Sequence, residues 1–491
     1  MAFLVGGCVR DLLIGMDPKD FDVATDALPE QVKRLFRNCR LVGRRFRLAH
    51  VFFGREIIEV ATFRAATAPS QGEEPLPDAD PEDGEAPELD DPQLVAASVG
   101  LDEDDDDDDV EEEDETEEGT VEGAAAVRAA PQAVERVMET GRRFGPSVDA
   151  DTDADMSRER MFDETGRILR DNVYGTIDAD VWRRDFTCNS LYYNIADFSV
   201  WDYCGGVADV QARKLKLIGD PETRFREDPV RMLRAARFEA KLGFSIDPPT
   251  AEPIARLHDL LGGVPPARLF DETLKLFLGG HGARSFEVLR NRGLLASLLP
   301  TVDAYLRAHP GSLVEKLLLQ GLRNTDDRVQ ADKPVTPTFL FALLLYGPIA
   351  GIIEATPPER WHELGTILDA CDLAVRQAQT HIAIPKRFSL GVREMFALQP
   401  RLEHPRGRRA LRALEHPRFR AAYDLLLLRA EHGLAPREMA DWWTRIQEVS
   451  AEERGQMADA LSGPARADGP LPRSGGGGRR RRRRRRSSGA T

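Results

Sequence analysis

The stretch Lys19-Asp20-Phe21-Asp22-Val23 decides the fold of this chain. Residues two apart on a strand project to the same side of a sheet, so the carboxylates of Asp20 and Asp22 converge. Phe21 and Val23 then point toward the core and hold the charged strand in place. Two converging carboxylates suit a pair of divalent cations. A solvated turn is the competing interpretation, since Asp-x-Asp is common by chance.

The segment before this stretch reads Leu4-Val5-Gly6-Gly7-Cys8-Val9-Arg10-Asp11. It predicts an apolar strand, a glycine pair and the start of a helix, whose free N–H groups could cradle phosphate oxygens. Arg10 would add a charged contact to a triphosphate. An ordinary strand-to-helix turn would have the same pattern.

The segment after it, Glu56-Ile57-Ile58-Glu59-Val60-Ala61-Thr62-Phe63, predicts a buried strand with one unusual residue, Glu59. A buried carboxylate needs a cation or a hydrogen-bonding partner to offset its desolvation. Glu59 is therefore a candidate third catalytic carboxylate near the metals. A salt bridge to a core arginine such as Arg64 is equally compatible with the spacing.

Further along, Glu227-Asp228-Pro229-Val230-Arg231-Met232-Leu233-Arg234 predicts a helix start, with Asp228 as the N-cap and proline as the first helical residue. Arg231 and Arg234 lie three apart, which places two guanidinium groups side by side on one helical face. Exposed arginines beside an amphipathic stripe remain the alternative.

Charge is distributed very unevenly along the chain. Its net charge is -16, but residues 69–118 contain 25 Asp and Glu and no Lys or Arg, so the remainder sums to +9. The tail from Arg473 supplies that positive charge through Arg473 and residues 479–486. A block of like charges cannot pack, so we expect a disordered acidic insertion and a flexible basic tail. The bulk charge therefore does not identify the partner.

Length and composition limit the class of protein. At 491 residues and 42% apolar content the chain can bury a large core in two to four domains. Its five cysteines form no C-x-x-C pair, and no run approaches the ~20 apolar residues of a membrane span. A reducing cytoplasm, with no membrane association, is the expected location.

The motifs quoted above, together with Arg183-Arg184-Asp185-Phe186-Thr187-Cys188-Asn189-Ser190-Leu191, resemble those of the class II nucleotidyltransferases. That family includes bacterial poly(A) polymerases and CCA-adding enzymes. Its members usually carry additional residues before the first motif and a shorter insertion. The resemblance implies two Mg²⁺ ions, with Mn²⁺ as a possible substitute, bound by Asp20 and Asp22. It also implies a nucleotide site formed by Gly6, Gly7, Arg10, Arg184, Asp185, Asn189, Asp228, Arg231 and Arg234.

In that site Gly6 and Gly7 would bind phosphates, and Arg184 with Asp185 would contact the ribose. Asp185 accepting from the 2′-OH would favour ribonucleotides. Asp228 and Arg231 would present a protein edge to the incoming base in place of a template. A surface ion pair is the alternative for Arg184 and Asp185.

Three other segments resemble bacterial poly(A) polymerases rather than CCA-adding enzymes. They are residues 41–51, residues 384–389 and the basic region 401–429. Clustered Lys and Arg neutralise phosphates with little base preference, as a general primer-binding surface requires. The predicted RNA contacts are Lys386, Arg387, Arg406, Arg408 and Arg409. A solvated basic helix face is the alternative.

We therefore predict an α/β catalytic head with a small mixed sheet, followed by all-α neck and body domains. The predicted segments are head 1–68 and 161–219, acidic insertion 69–160, neck 220–285, body and RNA-binding region 286–460, and Arg-rich tail 461–491. The expected activity is template-independent addition of AMP from ATP to RNA 3′ ends, in a monomer that works with RNA-decay proteins. A CCA-adding enzyme and a catalytically silent RNA-binding protein are the rivals.

Overall fold

The computed structural model describes residues 1–43, 47–54, 56–65, 161–162, 168–170 and 174–461. The predicted acidic insertion, and the predicted tail beyond its first residue, lie outside these ranges. Part of the segment 41–51 does as well.

The first 65 residues alternate between strands and helices because short apolar runs are separated by glycine, proline and charged residues. The elements are β1 (Ala2–Val5), α1 (Gly7–Leu13), β2 (Asp22–Thr25), α2 (Pro29–Leu35), β3 (Cys39–Val42), β4 (Leu48–Phe53) and β5 (Glu56–Thr62). The head continues with β6 (Met161–Phe162), β7 (Ile168–Arg170), α3 (Ile177–Arg183), a 3₁₀ turn (Thr187–Asn189), β8 (Leu191–Asn194), β9 (Ser199–Asp202), α4 (Gly206–Gln211) and β10 (Lys214–Leu215).

Seven of the described strands form one mixed sheet in the order β3-β4-β5-β2-β1-β8-β9. β2 and β5 are parallel, and the other neighbours are antiparallel. The register pairs Asp22 with Val5 of β1 on one side and with Glu59 of β5 on the other. Asp22 therefore lies in the middle of the sheet, at the end of its own strand.

Helices cover the two faces of this sheet unequally. α2 packs on the outer strands through Val32, against Ala49 and Val51. On the opposite face, α3 closes a core in which Ile177 and Val181 pack with aromatic side chains such as Phe3. This second core stops short of the outer strands, where Glu59 is exposed.

From residue 221 onward the described chain is almost entirely helical. Its elements are α5 (Pro221–Glu227), α6 (Val230–Leu242), β11 (Ser245–Ile246), α7 (Pro248–Leu257), α8 (Pro266–Phe277), α9 (Gly282–Asn291), α10 (Leu294–Leu298), α11 (Pro300–Ala308), α12 (Leu313–Gln330), α13 (Pro337–Leu344), α14 (Tyr346–Glu354), α15 (Leu364–Gln379), α16 (Lys386–Glu403), α17 (Leu411–Leu414), α18 (Phe419–Glu431), α19 (Arg437–Glu448) and α20 (Ala451–Ala460). The predicted α/β head followed by helical domains is confirmed.

One continuous apolar core links the head to these helices. It runs from Val9 of α1 through Phe238 of α6 to Phe341 of α13. A smaller cluster around Leu402, Phe419 and Trp443 holds the last helices together. Because α1 shares its core with α6, the glycine pair and the neck are held in a fixed relation.

None of the described helices is by itself long and apolar enough to cross a membrane. The pair α13 and α14 reaches that length and composition only in combination, and a 43° bend separates the two helices.

Gly206 occupies a position that tolerates no side chain. A Cβ there would lie 2.2 Å from the carbonyl oxygen of Thr187, where α4 meets the 3₁₀ turn. We expect Gly206→Ala to lower the melting temperature clearly, because two backbone segments would have to separate. Gly455→Ala in α20 is the control, since no atom lies within 4 Å of the added Cβ and alanine gains roughly 0.5–1 kcal/mol in a helix. Equal melting temperatures for the two variants would contradict this packing.

Candidate active site

The structure places Asp20 and Asp22 together at the open end of β2. Asp22 is the first residue of the strand and Asp20 lies in the segment that leads into it; both side chains are exposed. Phe21 between them packs against the main core. The strand begins at Asp22, so Asp20 lies before it rather than within it, although both carboxylates face solvent and Phe21 faces the core.

Carboxylate crowding is the main electrostatic feature of this end of the sheet. The pKa of Asp22 is raised to about 6 by partial desolvation and by the negative charges of Glu59 and Asp20, while Arg184 opposes the shift. The Asp22 side chain still reaches solvent, and the three carboxylates repel one another at this end of the sheet. Such a cluster is a place where a cation would be stabilised.

Glu59 is not buried, contrary to the sequence prediction. Its side chain is 49% exposed and forms an ion pair with His50, with 3.3 Å between Oε1 and Nε2. The reason is that, within the described part of the chain, α2 covers β5 on one face and the face that carries Glu59 stays open at this position. Arg64 was the partner suggested by the sequence, whereas the pairing with His50 was not predicted.

The glycine pair brings the start of α1 next to Arg184. Gly6 has φ +78°, in the left-handed region, and a Cβ there would lie 3.7 Å from Nη1 of Arg184 and 3.5 Å from the carbonyl oxygen of Asn189. The N–H groups in the first turn of a helix lack intrahelical acceptors. The turn and the guanidinium therefore offer hydrogen-bond donors in the same place.

Arg10 lies next to the glycine turn, where a Cβ on Gly7 would be 3.5 Å from its Nη2, and other groups of the protein engage its guanidinium. It is 2% exposed, and its Nε and Nη2 donate to Oδ1 of Asp11 at 2.8 and 2.6 Å. Nη1 donates to Oδ1 of Asn189, and the guanidinium lies 5.4 Å from the ring centroid of Phe238. Arg10 therefore holds Asn189, and its contact with a phosphate stays a prediction.

Arg184 is held by groups of the head itself. Its Nε donates to the Tyr192 hydroxyl at 2.8 Å, and its Nη2 lies 3.0 Å from Oδ2 of Asp180. The guanidinium also stacks over the Tyr192 ring, 5.0 Å from its centroid. These contacts fix the side chain from one side and leave it 23% exposed.

Asp185 lies at the junction of head and neck. Its Oδ2 accepts from Nε and Nη2 of Arg234 at 2.7 and 2.5 Å, and its Oδ1 accepts from the N–H of Phe186 at 2.8 Å and from Asn189 at 3.3 Å. Burial alone would raise its pKa, but the Arg234 charge and these hydrogen bonds lower the pKa to about 2. Asp185 is therefore a fixed anion and acceptor at neutral pH.

The start of the neck helix differs from the prediction by one residue. Pro229 is the N-cap of α6, while Oδ1 of Asp228 accepts from the N–H of Val230 at 3.3 Å. Arg268 of α8, which the sequence analysis did not identify, donates to both carboxylate oxygens of Asp228 at 2.8 and 2.7 Å. The Asp228 carboxylate is therefore held in one orientation.

Arg231 and Arg234 pair with different acids. Arg231 donates to Glu227 at 3.2 Å and to the carbonyl oxygen of Arg224 at 2.7 Å, whereas Arg234 binds Asp185. Arg224 was also missed by the sequence analysis. Its Nη2 donates to the carbonyl oxygens of residues 183 and 184, at 3.0 and 2.6 Å, which ties α5 to the head.

The predicted RNA contacts are all exposed and form two groups. Lys386 and Arg387 begin α16, and the other three follow its end. A helix of 18 residues is about 27 Å long, so the groups are well separated. Arg408 of the second group is paired with Asp459 through two contacts of 3.1 Å.

Comparison with known proteins relates this site to a family. The "Poly A polymerase head domain" matches residues 2–83 and 121–216, and the "Polymerase A arginine-rich C-terminus" matches residues 360–488. The "Probable RNA and SrmB- binding site of polymerase A" matches residues 243–306. Poly(A) polymerase I of Salmonella typhi is 40% identical over 478 residues, which cover 96% of this chain and 83% of the relative. The chain belongs to the bacterial poly(A) polymerase family.

Other relatives are consistent with this membership. Poly(A) polymerase I of Escherichia coli O6:H1 is 40% identical over 467 residues, covering 94% of this chain and 82% of that protein. The CCA-adding enzyme of Bacillus subtilis is 27% identical over 288 residues and covers 59% of this chain and 49% of its own. A solved tRNA-processing enzyme shares the fold, with a TM-score of 0.50 at 16% identity over 94% of this chain and 95% of that chain.

As a member of the poly(A) polymerase family, the chain is a nucleotidyltransferase, and the predicted enzyme class and poly(A) addition to RNA are confirmed. The CCA-adding enzymes, the rival within the same chemistry, are the more distant relatives. The site residues themselves are not assigned by these comparisons.

Proposed function

We propose that ATP binds between the head and the neck and that AMP is transferred there to an RNA 3′ end. The observation that carries this proposal is the meeting of three groups at one end of the sheet. The helix start at Gly6 lies next to Arg184, and Arg184 acts electrostatically on the crowded carboxylate of Asp22. Donors for a triphosphate thus lie beside acceptors for a cation.

Mg²⁺ is the proposed cofactor, with Asp20 and Asp22 as its protein ligands. Within the described ranges, no group of three or more His, Cys, Asp or Glu side chains could hold a metal ion by itself. Mg²⁺ does not need such a cage, because it commonly takes one or two carboxylates together with substrate phosphates and water. Carboxylate crowding at Asp22 fits this donor set, and Mn²⁺ accepts the same hard oxygen ligands.

Other residues of the chain are proposed to bind the phosphates, the ribose and the base of the nucleotide. The Gly6-Gly7 turn and Arg184 would bind phosphates, and Asp185 would accept from the ribose 2′-OH, since Arg234 keeps it ionised. Asp228, oriented by Arg268, would present its edge to the base. When bound, Mg²⁺ supplies charge neutralisation on the phosphates and acidifies the attacking 3′-OH.

Arg231, Asn189 and Glu59 take supporting roles in this proposal. Arg231 is 10% exposed and would help to shape the base edge from beneath. Asn189 links Arg10 to Asp185 and so holds the ribose-binding carboxylate. Glu59 would add negative charge next to the metal ligands.

Exposed arginines beyond the end of α16 would bind the RNA backbone. We expect Arg406→Ala/Arg409→Ala to weaken RNA binding at low salt and to reduce the slope of log K against log salt by about 0.7 per arginine. Arg307→Ala, which removes an exposed arginine of α11, is the control. An unchanged salt slope in the double variant, measured by fluorescence anisotropy, would assign these residues to a solvated surface.

The expectations of a cytoplasmic location, a monomeric state and association with RNA-decay proteins stay predictions. ATP and the 3′ ends of single-stranded RNA are the proposed substrates.

Primer extension with one nucleotide at a time tests the proposed function. With Mg²⁺, the full chain should extend a generic RNA primer into long tails with ATP and should use CTP, GTP and UTP poorly. Addition limited to C and A on tRNA would instead favour the CCA-adding alternative. Absence of extension with every nucleotide and with both Mg²⁺ and Mn²⁺ would reject the proposal.

A further inference from the structure

Among the residues that the structure describes, none covers one strip of the head sheet beside the proposed catalytic carboxylates. The register pairs Asp22 with Glu59, Glu59 with His50, and Phe52 with Ile57. Directly paired residues share a face, and alternate residues along a strand return to that face. These five side chains therefore lie on one side of the sheet, as the ion pair between His50 and Glu59 requires.

The residues that alternate with them face the other way, and Ala49 and Val51 among them are buried. Ala49 and Val51 pack against Val32 of α2. Phe53, which follows Phe52, lies on the α2 side with its ring 6.2 Å from that of Phe36. The uncovered strip is therefore distinct from the core that α2 closes.

The strip combines apolar and basic groups. The Phe52 side chain is half-buried and Ile57 is 38% exposed, and the two are directly opposite each other. Arg40 of β3 pairs in register with His50, so it lies on the same face; it is exposed and forms no ion pair with any residue that the structure describes. An aromatic ring flanked by a free cation is suited to a nucleotide, whose base stacks while its phosphate is neutralised.

The order of the strands indicates that this nucleotide belongs to the RNA primer and not to the incoming ATP. Gly6 and Arg184, the groups proposed for the triphosphate, lie on the β1 side of Asp22, whereas the strip lies on the β5 side. In phosphoryl transfer the attacking and leaving oxygens are roughly in line, so the attacking hydroxyl approaches from the side opposite the pyrophosphate. An acceptor strand would therefore arrive over β5 and β4.

We propose that the 3′-terminal base of the RNA primer stacks on Phe52 against Ile57, with Arg40 neutralising the adjacent backbone phosphate. This inference rests on the proposed function, because it assumes that Asp22 marks the site of transfer. It adds a primer subsite that holds the 3′-OH next to the carboxylates. Phe52 and Ile57 contact the primer base directly in this subsite.

Binding of RNA that carries 2-aminopurine as its 3′-terminal base tests this subsite directly. Stacking quenches this fluorophore, so the full-length wild-type protein, without Mg²⁺ or ATP, should quench it. Phe52→Ala should remove most of the quenching, and Phe52→Trp should keep it. Phe53→Ala is the matched control on the opposite face and should quench like the wild type.

Steady-state kinetics give the second readout. Loss of a base–aromatic stack should lower kcat/KM for the primer by about tenfold in Phe52→Ala, with KM for ATP unchanged and with a wild-type circular dichroism spectrum. Unchanged quenching and unchanged primer kinetics in Phe52→Ala, or equal losses in Phe53→Ala, would overturn the subsite. Failure of the wild-type enzyme to extend any primer would instead reject the proposed function itself.

Discussion

Asp22→Ala is expected to lose nucleotide addition by roughly 10³-fold or more in kcat while the protein stays folded. The loss follows because Asp22 is proposed to hold the cation that neutralises the reacting phosphates. We expect the same for Asp20→Ala and for Asp22→Asn, which keeps the shape and removes the charge. Primer extension with ATP and Mg²⁺ measures the effect.

The stability of Asp22→Ala, unlike its activity, should not fall. The pKa of Asp22 is raised to about 6 in the folded protein, above its unfolded value, so the ionised carboxylate disfavours the folded state at neutral pH. Its removal relieves repulsion with Glu59 and Asp20, and the melting temperature should stay level or rise. Asp26→Ala, which removes an exposed carboxylate after the other end of β2, should keep full activity. Substantial Mg²⁺-dependent activity in Asp22→Ala would show that the metal assignment is wrong.

Asp185→Ala should cause a clear loss of stability, about 1.5–3 kcal/mol, because it leaves the partly buried Arg234 guanidinium without its charged hydrogen-bond acceptor. The Asp185 side chain is 11% exposed and that of Arg234 is 33% exposed. The ion pair is therefore only partly protected from solvent. Urea denaturation measures the change. Asp185→Ala/Arg234→Leu should recover part of the stability without recovering activity, since the ribose acceptor is still missing.

The pH dependence of this contribution follows from the lowered pKa of Asp185. Because that pKa is about 2 in the folded protein and higher in the unfolded chain, the carboxylate stabilises the fold above the unfolded value. The contribution disappears as the pH falls from about 4 toward 2. Asp441→Ala, which removes an exposed partner of Arg437, should leave stability unchanged at every pH. A loss under 1 kcal/mol in Asp185→Ala would contradict the buried pair.

The sequence predicted the local features of the head because they depend on neighbouring residues. Alternation around Phe21 separates two exposed carboxylates from the core, and the glycine pair allows the turn with a positive φ at Gly6. The order of strands and helices follows from the same local signals. These features need no knowledge of what lies elsewhere in the chain.

Partnerships between distant segments could not be predicted in this way. Arg10 is buried because Asn189, 179 residues away, accepts its hydrogen bond, and Asp228 is oriented by Arg268 from another helix. Glu59 looked buried because its strand is apolar in sequence, yet within the described part of the chain the face that carries it stays open. A charged residue in a motif therefore does not reveal whether it faces the ligand or supports a residue that does.

Anomalous diffraction from crystals grown with Mn²⁺ and a non-hydrolysable ATP analogue tests the central claim most directly. We predict an anomalous peak within bonding distance of the Asp20 and Asp22 carboxylates, with the triphosphate on the Gly6-Gly7 turn next to Arg184. A metal bound elsewhere, or a triphosphate away from that turn, would contradict the account.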